Sequence, residues 1–113
     1  MRTHRNLDVL SAAEQVVDEV NRLSDVRPRH LLFRAQLQAS AQAVPANIRE
    51  AFGRGSKADR DRILRIARGE AEETIGHLAA NFSAKRIDTK AYWRLRNRLV
   101  TIVRMLNGLM RSL

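Results

Sequence analysis

At 113 residues, with five glycines, two prolines and 44% hydrophobic content, the chain has the length of one domain (1-113); it lacks both the turn residues of an all-β fold and the polarity of a disordered chain. The absence of cysteine excludes disulfides and thiolate metal sites, and no stretch approaches the roughly 18 consecutive apolar residues that span a membrane. A formal net charge of +9, from 21 Lys and Arg against 12 Asp and Glu, makes a polyanion the first partner to consider.

The N-terminal run Met1-Arg2-Thr3-His4-Arg5-Asn6 leads into an acidic segment, not an apolar one, so a cytoplasmic protein without a signal peptide is expected. Val9, Ala13, Val16, Val20 and Leu23 recur in steps of three and four, which predicts a first helix over about residues 6 to 25 that stops before Pro28. Phe33, Leu37, Val44, Ile48 and Phe52 form the stripe of a second helix ending near Gly53 and Gly55. Pro45 falls inside it and removes a hydrogen bond to the Ala41 carbonyl, which predicts a kink near residues 41 to 45, or else a break into two helices. Asn47, just past the proline, is expected to satisfy backbone groups freed there.

Ser56 with Asp59 three residues later resembles a capping box, and Ile63, Ala67, Thr74, Leu78 and Phe82 trace a third helix over about 57 to 84. Gly69 and Gly76 each weaken that helix by about 1 kcal/mol relative to alanine, so close packing of a neighbouring helix is expected, at position 69 above all. Asp88 can cap a fourth helix with the stripe Tyr92, Leu95, Leu99, Ile102, Leu106, Leu109 and Leu113. Short connections then predict an all-α, antiparallel up-and-down four-helix bundle, helix two kinked near Pro45. Beside the main stripe of helix four lie Trp93, Val100, Val103 and Met110, a surplus of apolar surface that predicts an oligomer interface.

Chemistry-bearing residues do not assemble into a catalytic pattern. His4, His30 and His77 are scattered, and the pair Glu73 and His77 is a single weak match to the carboxylate and histidine sets of metal-binding bundles, so neither a metal nor a cofactor is expected. Glu70, Glu72 and Glu73 read as partners for arginines on an adjacent helix or subunit, and the serines have no histidine at helical spacing.

The cations are segregated. Residues 6 to 25 sum to −4, residues 54 to 68 to +4, and Lys85 onward to +7. Arg62, Arg65 and Arg68 share one helix face at three-residue spacing, and Lys90, Arg94 and Arg98 share another at four. Arginine dominates over lysine, which suits bidentate phosphate contacts. With Tyr92 and Trp93 the only aromatics near this charge, contact through the phosphate backbone of a structured RNA or DNA is expected over sequence readout.

The run Val44-Pro45-Ala46-Asn47-Ile48-Arg49-Glu50-Ala51-Phe52-Gly53-Arg54, then Ile66-Ala67-Arg68-Gly69 with Glu73, then Met105-Leu106-Asn107-Gly108-Leu109-Met110-Arg111-Ser112-Leu113, resembles the bacterial four-helix bundle proteins known as 23S rRNA intervening-sequence proteins. Where that family commonly has Ala-Glu-Gly after Asn-Ile, this sequence has Arg49-Glu50-Ala51. The resemblance implies an antiparallel four-helix subunit and a homopentamer. It also implies kinship with the accessory variability determinant of diversity-generating retroelements, which looks like a basic ring that binds nucleic acid and a reverse transcriptase. It supplies no catalytic residues. The expected function is therefore that of a non-enzymatic, oligomeric nucleic-acid-binding protein, with a scaffold ring for a protein partner as the alternative.

Overall fold

A computed structural model describes residues 4–26 and 29–112. They form four α-helices: α1 (His4–Val26), α2 (Arg34–Phe52), α3 (Lys57–Ser83) and α4 (Thr89–Ser112). Pro28, expected to end the first helix, and Leu113, the last member of the α4 stripe, lie outside the described residues.

Local signals set most of the ends. The Ser56 hydroxyl accepts a hydrogen bond from the Asp59 N–H at 3.2 Å, occupying one of the unpaired donors of the first turn of α3. Asp88 Oδ1 does the same for the Ala91 N–H at 2.7 Å and starts α4. At the far end of α4, the Lys57 ammonium donates to the Met110 carbonyl at 3.1 Å, placing a cation where the helix dipole is negative.

The helices pack as a ring in which α1 meets α2, α2 meets α3, α3 meets α4, and α4 closes back on α1. Cross-helix hydrogen bonds give the sense of two of these pairs. Asn21 meets Gln38 and Glu14 meets Arg49 between α1 and α2; Arg68 meets Asn107 and Lys57 meets Met110 between α3 and α4. In both cases the residue number rises along one helix as it falls along the other. The periodic stripes point inward, and Val16, Val20, Leu37, Ile48, Leu78, Leu95, Leu99, Ile102 and Leu106 are all at most 1% exposed. Burying each such side chain contributes about 1.5–3 kcal/mol, which outweighs the low helix propensity of the β-branched ones.

Several expectations are corrected. Phe33 is not on the α2 stripe: it precedes the helix in the left-handed region (φ 53°), outside the helical period, and is 55% exposed against His77, with ring centroids 5.8 Å apart. Buried Leu31 belongs to the core at this corner. The helix runs unbroken through buried Pro45, so the chain does not divide into two helices there. Asn47 Nδ2 donates to the Ala43 carbonyl at 2.8 Å, a backbone group one turn earlier in the segment that contains Pro45. Gly69 is exposed, and a Cβ on it or on Gly76 would meet nothing within 4 Å, so neither glycine marks a close helix contact within the chain.

Candidate nucleic-acid interface

The six cations singled out from the sequence divide between two seams of the bundle. On the α1–α4 seam, Arg94 Nε donates to both carboxylate oxygens of Glu19 at 3.0 Å. Arg98 stands 3.9 Å from the same carboxylate and 3.5 Å from Gln15 Oε1. The Glu19 side chain is only 9% exposed, so these arginines compensate a buried charge of their own chain. Their pairing with helix one is thus intramolecular. Lys90, a turn earlier, is exposed and makes no ion pair among the described residues.

The other three cations lie on α3 toward the opposite end of the bundle, Arg65 and Arg68 at its seam with α4. Arg62 is exposed, 3.8 Å from Asp59 in its own helix. Arg65 is exposed and has no ion-pair partner among the described residues. Arg68 Nη1 donates to Asn107 Oδ1 at 2.7 Å, which fixes the guanidinium across the seam without neutralising it. Asp61, Arg65, Arg68, Asn107, Met110 and Arg111 line a shallow concavity of about 590 Å³. Its one acid, Asp61, is already held by Lys57 at 2.8 Å.

Helical spacing extends this concavity into a tract. Trp93, Val100, Arg104, Asn107 and Arg111 fall on one side of α4, and the 18 positions from Trp93 to Arg111 make about five turns, or about 27 Å. On α3 the same side carries Arg65 and, seven residues later, exposed Glu72, an acid that interrupts the positive run. Of the apolar residues expected at a subunit interface, Val103 and Met110 are half-buried against this chain's own core, Val100 is half-buried, and Trp93 is 45% exposed.

The acidic cluster on α3 has no arginine partner among the described residues. Glu73 Oε1 lies 3.4 Å from His77 Nε2 without hydrogen-bond geometry. Among the described residues no three His, Cys, Asp or Glu side chains are placed to hold a metal ion, and no helix is long and apolar enough to cross a membrane. Burial, and secondly the neighbouring Glu73 carboxylate, raise the pKa of Glu70 above the ordinary glutamate value. The folded state therefore binds this proton more tightly than the unfolded state. The associated stability is fully present below the ordinary value and is lost as pH rises through the raised one. Glu70→Gln is expected to raise the melting temperature at neutral pH, with the gain vanishing in acid; an equal gain at both pH values would contradict this assignment.

Residues 5–108 match the model of the family described as 23S rRNA-intervening sequence protein. The chain belongs to that family. A crystal structure of a protein with unknown function, from the S23 ribosomal protein family of Bacteroides thetaiotaomicron VPI-5482, superposes with a TM-score of 0.86 at 26% identity. The alignment covers 96% of this chain and 99% of that one. No curated protein matches the chain. In this member of the 23S rRNA-intervening sequence family, Asn107 and Arg111 belong to the C-terminal run that resembles the family, and they stand beside Arg65 and Arg68, a placement that their sequence spacing alone does not disclose. Spacing along α4 puts them on one face with Arg104; the register of α4 against α3 is the missing piece that makes that face a neighbour of the α3 arginines.

Proposed function

We propose that this protein is a non-enzymatic nucleic-acid-binding protein that holds the phosphate backbone of a structured RNA or a DNA duplex along the α3–α4 seam. The observation that carries this reading is the convergence of Arg65, Arg68 and Arg111 on one concavity whose only acid is already paired. Arg62 and Arg104 extend the tract. Guanidinium forks in a shallow, open groove match phosphate oxygens, so affinity should be electrostatic and largely independent of sequence. Arg94 and Arg98 are engaged by Glu19 and are assigned to stability.

Cytoplasmic location and self-association belong to the same proposal, with the pentamer implied by the motif resemblance and the kinship with the accessory variability determinant of diversity-generating retroelements. Half-buried Val100 is apolar surface on that side of α4 that this chain leaves partly uncovered for such a contact. A homopentamer would align several seams around one axis and multiply weak phosphate contacts.

Fluorescence anisotropy titrations against a structured RNA and a DNA duplex, each at about 50 and 200 mM salt, test the proposal. Micromolar or tighter binding that falls steeply with salt is expected. Absence of binding at the lower salt would overturn it and favour a scaffold that binds a protein.

A further inference from the structure

The tract on α4 begins at an aromatic cluster that the phosphate contacts do not use. Phe82 stacks on Tyr92 with centroids 4.3 Å and planes 4° apart. Trp93 packs edge-on against both, 5.1 Å from Tyr92 and 6.4 Å from Phe82. Tyr92 is buried and Phe82 half-buried, so the two rings hold an indole that is itself 45% exposed. The Arg96 guanidinium lies over that indole, 5.3 Å from its centroid. Lys90, three residues before Trp93, is exposed. Neither Lys90 nor Arg96 forms an ion pair among the described residues. The nearby acid in sequence, Asp88, is occupied in capping α4.

We infer that Trp93, with Arg96, is a stacking platform for an unpaired base of a single-stranded nucleic acid. The inference rests on the reading that the α3–α4 seam binds nucleic acid, and adds a single-stranded ligand and a place for its base. Three features of the cluster support it. A ring already fixed by neighbours loses little freedom when a base stacks on it. The guanidinium that covers one face of the indole presents its own outer face, and bases stack on guanidinium planes as they do on aromatic rings. Lys90 on one side and Arg104 and Arg111 further along the same face of α4 then meet the phosphates to either side of the stacked nucleotide. A duplex keeps its bases paired and gains nothing from Trp93, so the platform discriminates single from double strands.

Trp93 is the only tryptophan, so its emission reports on this position alone. The intact protein is titrated with a single-stranded oligonucleotide of roughly 15 nucleotides and with the blunt duplex of the same sequence, reading tryptophan fluorescence and the anisotropy of labelled strands. Saturable quenching by the single strand, with little quenching by the duplex, is expected. Trp93→Leu should weaken single-strand binding about 10-fold and leave duplex binding within about twofold, while Trp93→Phe, which keeps a ring, recovers part of the loss. Unchanged emission at saturating single strand would overturn the inference, as would unchanged affinity in Trp93→Leu. A lower solution mass for that variant would overturn it too, by assigning Trp93 to a contact between subunits. Duplex binding without any tryptophan response removes the platform and leaves the phosphate tract standing; failure of both nucleic acids to bind removes both.

Discussion

Replacing Arg65, Arg68 and Arg111 together with glutamine is expected to weaken binding to a structured RNA or DNA duplex by at least about tenfold at low salt, and to reduce the slope of log affinity against log salt by about two to three. Each lost guanidinium removes roughly one phosphate contact and the counterion released with it. Helical content should not change, because Arg65 has no ion-pair partner among the described residues and Arg68 loses a single part-buried side-chain hydrogen bond to Asn107. The contrasting variant is Arg94→Gln with Arg98→Gln, which removes equally many charges per residue changed but from the α1–α4 seam. It should keep most of the affinity and lose stability instead, on the order of 1–3 kcal/mol. Glu19 would then be a buried carboxylate without a cation, and the value stays at the low end because Arg94 is about half exposed. Loss of binding in the second variant and not in the first would reverse the assignment of the two seams.

Asn81→Leu is expected to destabilise the fold by about 3 kcal/mol, lowering the midpoint of thermal unfolding by about 10 °C. Asn81 is fully buried near the C-terminal end of α3. Its Oδ1 accepts from the Leu32 N–H at 2.7 Å, and its Nδ2 donates to the Leu32 carbonyl at 3.0 Å and to the His77 carbonyl at 2.8 Å. The amide thereby pairs both backbone groups of a residue in the turn before α2, where no helix supplies partners. Leucine has similar volume and none of these bonds, so the Leu32 donor and acceptor would be left unpaired in a partly buried site. Circular dichroism melting of the variant measures the effect. A change below about 1 kcal/mol would mean that water replaces the amide, and nucleic-acid affinity well below the transition should be unaffected in either case.

Much of the architecture is legible in the residues because the apolar steps of three and four along each helix coincide with the caps that end it. Ser56 and Asp88 both cap where their types and positions predict. Phe33 escapes the pattern because its left-handed backbone takes it off the helical period, which an apolar residue at the right spacing does not reveal. Gly69 misleads for a different reason: within helix three a glycine is as compatible with an open surface as with a close approach, and here the surface is open. The cations show where pattern stops. Spacing identifies Arg94 and Arg98 as one face, but it does not disclose that a buried Glu19, 75 residues earlier, stands opposite Arg94. Arg68 and Asn107 meet across 39 residues in the same way. Which basic face is free, and which is already neutralised, is a property of helix register, and register follows from the packing of whole stripes and not from any local run.

The assignment of the α3–α4 seam is tested most directly by nuclear magnetic resonance of the arginine side chains during titration with a short DNA duplex. Shifts concentrated on Arg65, Arg68, Arg104 and Arg111, with Arg94 and Arg98 unmoved, are the expected result. Shifts centred on Arg94 and Arg98, or none at all at concentrations where the duplex is bound, would contradict it.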